Sequence, residues 1–562
     1  MSFRQTVSFF ILCIALLWVG APAEAQEVHE NHGPGPAAPP ADQPVAPRLQ
    51  NLGNHHHAIT TKVPRAQQFF DQGLRLSYGF NHAEAFRAFA EAARLDPDCA
   101  MCYWGQALVL GPNINAPMDP ADEPRALELV QKAVALKPHA AEPERAYIDA
   151  LATRYSGDAQ ERQARDRAYA EAMGKLARQY PDDLDAVTLY AEALMDLRPW
   201  DYATRDGQPY PETKDLIPLL ESVLRRNPDH PGAIHLYIHA TENTRAPERA
   251  LPYADKLGEL MPAAGHMVHM PSHTYMRVGQ YDKAVKSNQR AALADEDYIA
   301  QCRAQGLYPL GYYPHNVHFL WWAAAYDGRR QLALDAARKT VALFNADLLH
   351  QHPFLQDLVV TPYLVYVRFG QWDEMLAEPE PPMGGQFTRA IWHYARGMAW
   401  AAKGQLEEGT AELEALKRIA TDPAVDSAAV SFSSNKASAV LRVAVEALSG
   451  ELAERRGESE TAIAHLHRAV LFEENLIYTE PAVWPFPMRH WLGAALLKAG
   501  RPVEAEAVYW EDLRKNPENG WSLYGLAQAL RAQGRTDEAA GVEARFQQAW
   551  AHADVQLSAS RF

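Results

Sequence analysis

The chain has 562 residues, with 70 acidic against 54 basic side chains and a net charge of −16. That balance argues against nucleic acid or an anionic membrane as its main partner. The length exceeds what one hydrophobic core supports, which leaves several domains or an array of repeats.

Residues 1–25 read as a secretory signal: Arg4 is the positive start, Phe9 to Gly20 the apolar run, and Ala23-Glu24-Ala25 a small-residue cleavage site. The run is short for a membrane span, and no second run of about 20 apolar residues follows. The expectation is a cleaved chain, periplasmic or secreted, with no integral membrane segment. Residues 26–60, rich in Pro and Ala, are expected to be a flexible linker. Within it His55, His56 and His57 are either a polar lead-in to the first helix or accessory donors that fold back onto a site.

Once the signal is removed, three cysteines remain: Cys99, Cys102 and Cys302. In an oxidising compartment an odd number leaves one free or paired between chains. Cys99 and Cys102 form a CxxC that is either a local disulfide or thiol pair, or a metal or redox site. Tyr103 stands where a c-type haem site needs His.

From about residue 66 the chain follows a 34-residue period of helix pairs. Numbered from Ala66, the residues Gly73, Ala85, Phe89, Ala92 and Pro97 occupy positions 8, 20, 24, 27 and 32. Small residues let two helices approach, a large one fills the gap, and Pro ends the second helix. Ala126, Ala133 and Pro138 continue the register; so do Ala250, Leu257 and Pro262, and later Gly493, Gly500, Ala505 and Pro517. The pattern resembles the tetratricopeptide repeat. The resemblance implies an all-α, right-handed α-solenoid of about eleven helix pairs, whose first helices line a concave groove. We place the solenoid at 61–553, its histidine-lined central repeats at 231–347, and a C-terminal tail at 554–562. The segments LGNHHH, PDCAMCYWG, HMPSH and GWSLYGLAQAL are similar to a group of exported bacterial tetratricopeptide proteins. That likeness implies architecture and export, without a mechanism.

Seven histidines then fall on groove positions of three successive first helices. Starting units at Pro231, Gly265 and Pro314 puts His235 and His239 at positions 5 and 9, His266, His269 and His273 at 2, 5 and 9, and His315 and His318 at 2 and 5. Spacings of three and four share a helix face. Neutral imidazole binds copper, zinc, iron and nickel, whereas calcium and magnesium prefer oxygen. We therefore expect a transition metal (copper, zinc or iron) held by His235, His239, His269 and His273 first, with His266, His315 and His318 next. Glu242, one turn after His239, is a candidate ligand, orienting group or general base. Leu236 breaks any HExxH pattern, and no catalytic Ser-His-Asp order, phosphate loop or dinucleotide fingerprint is present, so no nucleotide cofactor is expected.

Three insertions interrupt the period: Gly111–Pro120, Arg198–Thr213 and Gln301–Pro314, the last two rich in Trp and Tyr. They either close over a ligand or pack on their own helices. Tyr478–Trp491 reads as packing. The expected function is an exported scaffold with a metal centre in its groove. The alternatives are a metal-dependent enzyme at the same residues and a metal-free adaptor for a peptide or protein.

Overall fold

The computed structural model describes residues 43–204, 208–302, 308–426, 428, 430 and 435–562. The expected signal at 1–25 and the linker up to residue 42 lie outside the described residues.

From Pro44 onward the chain forms a single unit, and its described residues contain helices and isolated bridges without a β-strand. Helices pack as consecutive pairs: α1 (Pro64–Tyr78) with α2 (His82–Leu95), α3 (Ala100–Leu108) with α4 (Glu123–Ala135), and α5 (Glu142–Ala152) with α6 (Arg162–Gln179). They continue as α7 (Leu184–Asp196) with α8 (Leu216–Arg226), and α9 (Pro231–Glu242) with α10 (Leu251–Leu260). Next, α11 (Gly265–His269) and α12 (Pro271–Arg277) jointly pair with α13 (Tyr281–Cys302), and α14 (Tyr313–Tyr326) pairs with α15 (Arg330–Ala342). Five further pairs between Thr361 and Ala549 bring the described total to twelve. The chain is a tetratricopeptide-like α-solenoid.

The repeat marks act as their chemistry requires. Phe89 is fully buried, and its ring wedges between two glycines: a Cβ on Gly73 would meet it at 2.7 Å and one on Gly105 at 2.5 Å. The turn between the helices of a pair holds glycine at positive φ, between 65° and 81°, at Gly279, Gly328, Gly370, Gly404, Gly457, Gly500 and Gly534.

Two features depart from an open groove. The first is that the C-terminal repeats come back onto the central ones. Arg277 Nη1 donates to Lys515 O at 3.2 Å, and Tyr281 Oη donates to Pro517 O at 2.9 Å. Trp322 Nε1 donates to Pro485 O at 3.0 Å, and Trp521 Nε1 to Ala325 O at 3.2 Å. Arg277, Tyr281, Trp322 and Ala325 of the central repeats thus have partners in the chain's own C-terminal repeats.

The second is that the expected linker is ordered from Pro44 on. Residues 44–63 form a strap along the first repeats, with Ala46 and Leu52 buried. Its backbone is satisfied by polar side chains: Val45 N donates to Glu91 Oε2 at 2.8 Å, and Leu49 N to Gln72 Oε1 at 2.9 Å. Asn51 O accepts from Ala263 N at 3.0 Å, just ahead of α11. Pro- and Ala-rich composition suggests a tether, but these distant acceptors pin it.

Cys99 and Cys102 are joined as a disulfide, buried at the start of α3, and Cys302 is free and buried. Among the described residues no helix is long and apolar enough to cross a membrane.

Candidate metal centre

His235 and His239 lie one turn apart on α9, and α11 with α12 carries His266, His269 and His273. His315 and His318 begin α14. Pro271 interrupts the helix between His269 and His273 but keeps both rings on one side, with centroids 4.8 Å apart. Six of the seven come together as two triads. In the first, His235, His239 and His266 offer ligand atoms that all lie within 4.8 Å of one another; in the second, His269, His273 and His315 do the same. His318 belongs to neither and packs beside Trp321 instead, at 5.7 Å. All rings are buried except that of His315, which is half-buried.

Hydrogen bonds behind the rings set their tautomers. His235 Nδ1 donates to the carbonyl of Tyr78 at 2.6 Å. His269 Nδ1 donates to Asn288 Oδ1 at 2.6 Å, and the Asn288 amide is oriented by its own bond to Ala284 O. Both acceptors lack a proton to give, so both rings carry theirs on Nδ1 and turn a bare Nε2 lone pair inward. Glu242 lies behind the two triads, between them: Oε1 is 2.9 Å from His239 Nδ1 and Oε2 is 2.5 Å from His273 Nδ1. The carboxylate thus orients one ring of each triad, a role that outer partners of metal-bound histidines commonly fill.

Inside the triads the polar accounting fails to close. His235 Nε2, His239 Nε2 and both nitrogens of His266 are buried without a hydrogen-bond partner among the described residues. Each such group forfeits about 1–3 kcal/mol, so four in one place need an explanation. In the second triad, His269 Nε2 faces His273 Nε2 at 2.8 Å and His315 Nε2 at 3.0 Å. An ion about 2.0 Å from each of three nitrogens holds them about 3.3 Å apart, close to these spacings.

The electrostatics suit the same occupant. Burial, reinforced by the neighbouring imidazoles, holds His235, His266, His269 and His273 well below the ordinary histidine value. Burial takes His239, His315 and His318 down to about 3. The rings are neutral, which is the form that ligates metals. Burial also raises the Glu242 carboxyl well above the usual range, and a nearby cation would offset that penalty.

Aromatic side chains cover both triads. Phe80 lies 4.3 Å from His235 and stacks at 6.2 Å on His239, while Trp200 meets His239 edge-on at 4.9 Å and Tyr312 lies 4.6 Å from His266. Phe319 is 4.8 Å from both His269 and His273. Trp200 and Tyr312 belong to the second and third insertions, which therefore do reach the histidines. Phe80 occupies the turn position that is glycine in seven later pairs, and it keeps their positive φ, at 56°. A bulky residue there costs about 1–2 kcal/mol; here it places a ring over the first triad.

Two residues of the centre have no signature in the repeat pattern, Asn288 and Glu480. Tyr478–Trp491 does more than pack: burial, with the charge of Glu242 adding to it, holds Glu480 well above its ordinary value, and Glu480 Oε2 lacks a partner among the described residues. Met267, Met270 and Met276 are core residues.

The histidines of the strap complete a different cluster. Asp185 on α7 accepts His55 Nε2 at 2.9 Å, Tyr78 Oη at 2.5 Å and His230 Nε2 at 3.2 Å on Oδ1, and His57 Nδ1 at 2.8 Å on Oδ2. His56 Nδ1 meets Asp71 at 2.8 Å. Because His230 Nδ1 caps α9 by accepting from Ala233 N, its proton is on Nε2 and points at Asp185. Such a set is satisfied as it stands and works as a latch.

His57 lies above its ordinary 6.5: burial acts to lower it, but the bond to Asp185 and the charges of Asp185, Asp183 and Asp71 outweigh burial. Asp185 lies well below its ordinary value, because bonds from His230, His55 and His57 outweigh burial. A histidine raised by folding contributes stability below its unfolded value and loses it as pH rises through its folded one. Limited proteolysis of the strap should therefore accelerate as the pH rises above the ordinary histidine value of 6.5 and through the raised one of folded His57, and His57→Ala should abolish that dependence. A cleavage rate that is flat with pH in the unmodified protein would refute the latch.

The chain matches no family model and no curated protein. Among solved structures, the human IFIT1 dimer with m7Gppp-AAAA aligns at 13% identity over 87% of this chain and 91% of that one, with a TM-score of 0.33. The yeast Tom70 aligns at 14% identity over 87% and 92%, with a TM-score of 0.28. The APC/C hetero-tetramer Cut9-Hcn1 aligns at 12% identity over 87% and 88%, with a TM-score of 0.27. The repeat architecture is defined by this chain's own helix pairs.

Proposed function

We propose that the protein is an exported helical-repeat scaffold that carries a transition-metal centre, of copper, zinc or iron, in its middle repeats. One observation carries this reading: four ring nitrogens stay buried and unpartnered in an all-imidazole cluster whose outer hydrogen bonds already turn lone pairs inward. The N-terminal apolar run and the Cys99–Cys102 disulfide support an oxidising, exported setting. A peptide held against these histidines is disfavoured, because the rings of Phe80, Trp200, Tyr312 and Phe319 already cover them. A second reading, a metal-dependent activity, is favoured by the count of three protein ligands per triad, which leaves a coordination position for a small ligand.

The test is metal analysis by plasma mass spectrometry on untagged protein exported to a periplasm, beside a His235→Ala/His269→Ala variant. We expect near-stoichiometric metal in the unmodified protein and its loss in the variant, with helical circular dichroism unchanged. Absence of metal from the unmodified protein, even after reconstitution with copper, zinc and iron, would sink the reading.

A further inference from the structure

We infer that the centre holds two transition-metal ions, one in each of two repeat-related three-histidine sites. The inference rests on the metal reading above and concerns its stoichiometry and donors, which that reading leaves open.

The first argument is register. His269 and His273 repeat His235 and His239 after one 34-residue period. In each site the paired donors occupy positions 5 and 9 of one repeat unit, and the third donor occupies position 2 of the next: His266 at the start of α11 for the first, His315 in the first turn of α14 for the second. A solenoid that repeats a donor pattern by translation repeats the site that the pattern builds. The series also stops where it should. His318 begins a third set, but Trp322 stands where its partner four residues on would be, and His318 is accordingly left out of both triads.

The second argument is separation. His266 and His269 share α11, with ring centroids 5.7 Å apart, yet they serve different triads. Each site has its own aromatic cover, Phe80 over the first and Phe319 over the second. Each has its own anchor on a ring Nδ1, Tyr78 O for His235 and Asn288 Oδ1 for His269. Glu242 connects the sites from outside, through one ring of each.

A competing arrangement has one ion between His239, Glu242 and His273, whose ligand atoms also lie within 4.8 Å of one another. It would engage the Nδ1 atoms, and it would leave His266 and the Nε2 atoms of His235 and His239 as orphaned as before. An ion in the first triad engages three of these four nitrogens, one from each ring, and the same donor pattern one period on forms the second site.

Zinc and copper(II) are the probes, loaded into the full chain and dialysed against a chelator buffer before metal analysis. We expect two ions per chain in the unmodified protein, one in His266→Gln, one in His315→Gln, and none in the double variant. Neither substitution touches the Glu242 group, so a single ion that survives both would assign that arrangement and overturn this one. A single ion lost in either variant would show one shared site and also overturn it, as would two ions retained in both variants. No ion in any form would refute the metal reading itself.

Should a variant fail to keep its helical circular dichroism, the unmodified protein still decides. Two copper(II) ions in sites whose rings come within 5.4 Å of each other broaden each other's electron paramagnetic resonance spectrum. An unbroadened spectrum at full loading would overturn the inference.

Discussion

Glu242→Ala should weaken metal binding at both triads by about 10–100-fold while leaving every imidazole in place. The carboxylate accepts from His239 and His273, one ring from each triad, so its removal frees two rings to rotate and to change tautomer. It also leaves two buried Nδ1 groups unpaired, at about 1–3 kcal/mol each. Glu242→Gln should separate the two contributions. Its amide oxygen still accepts from one ring, but its amide N–H₂ must donate to the other, which drives that ring's proton onto Nε2 and removes one donor. One triad should therefore keep its affinity and the other lose it. Competition against a zinc chelator of known strength measures both, and unchanged affinity in Glu242→Ala would remove Glu242 from the centre.

The largest structural effect should come from a single methyl group at Gly265. A Cβ there would lie 1.9 Å from Asp295 Oδ1, inside any tolerable contact. Asp295 is fully buried and pushed up to about 7 by that burial, which the bonds from Tyr308 and Asn316 only partly offset. Tyr308 Oη donates to Asp295 Oδ1 at 2.8 Å and accepts from His266 N at 3.1 Å, and Asn316 Nδ2 donates to Asp295 Oδ2 at 2.6 Å. This knot fixes the start of α11 against the start of α14, the two places that supply His266 and His315. Gly265→Ala should destabilise the protein by about 3 kcal/mol or more, from overpacking together with lost buried hydrogen bonds. Gly404→Ala is the control, with φ of 77° but nothing within 4 Å of its Cβ; it should lose only about 1–2 kcal/mol. Urea melts of both variants check the contrast, and equal losses would show that the Asp295 knot is not what Gly265 protects.

The architecture was open to reading because tetratricopeptide marks are local: Gly73 and Phe89 predict each other's size, and the structure packs them together. The seven histidines were legible for the same reason, each having a defined place in a short period. Their division was less so, because position 2 of one unit joins positions 5 and 9 of the unit before, across a helix pair. Phe80 carries a signal in the sequence, an aromatic residue standing where other pairs have glycine. Glu480 left none. It is 238 residues beyond Glu242, and only the return of the C-terminal repeats brings the two together. Residues 44–60 have the composition of a tether, while their partners Glu91, Gln72 and Asp185 lie on helices that follow them.

The contacts from Arg277 and Tyr281 to residues 515–517, and from Asp554 N to Gly328 O, also bear on how the chain unfolds. A linear repeat array behaves as a one-dimensional chain of coupled units, able to fray from either end and to gain or lose a repeat with little penalty. Here the C-terminal pairs are bonded to partners more than 200 residues earlier. Loss of order at that end exposes the middle, and loss of order in the middle releases that end. Unfolding is therefore coupled over the closed part of the molecule, and the number of pairs between the contacts is set by geometry, since deleting one would leave the returning repeats short of their acceptors.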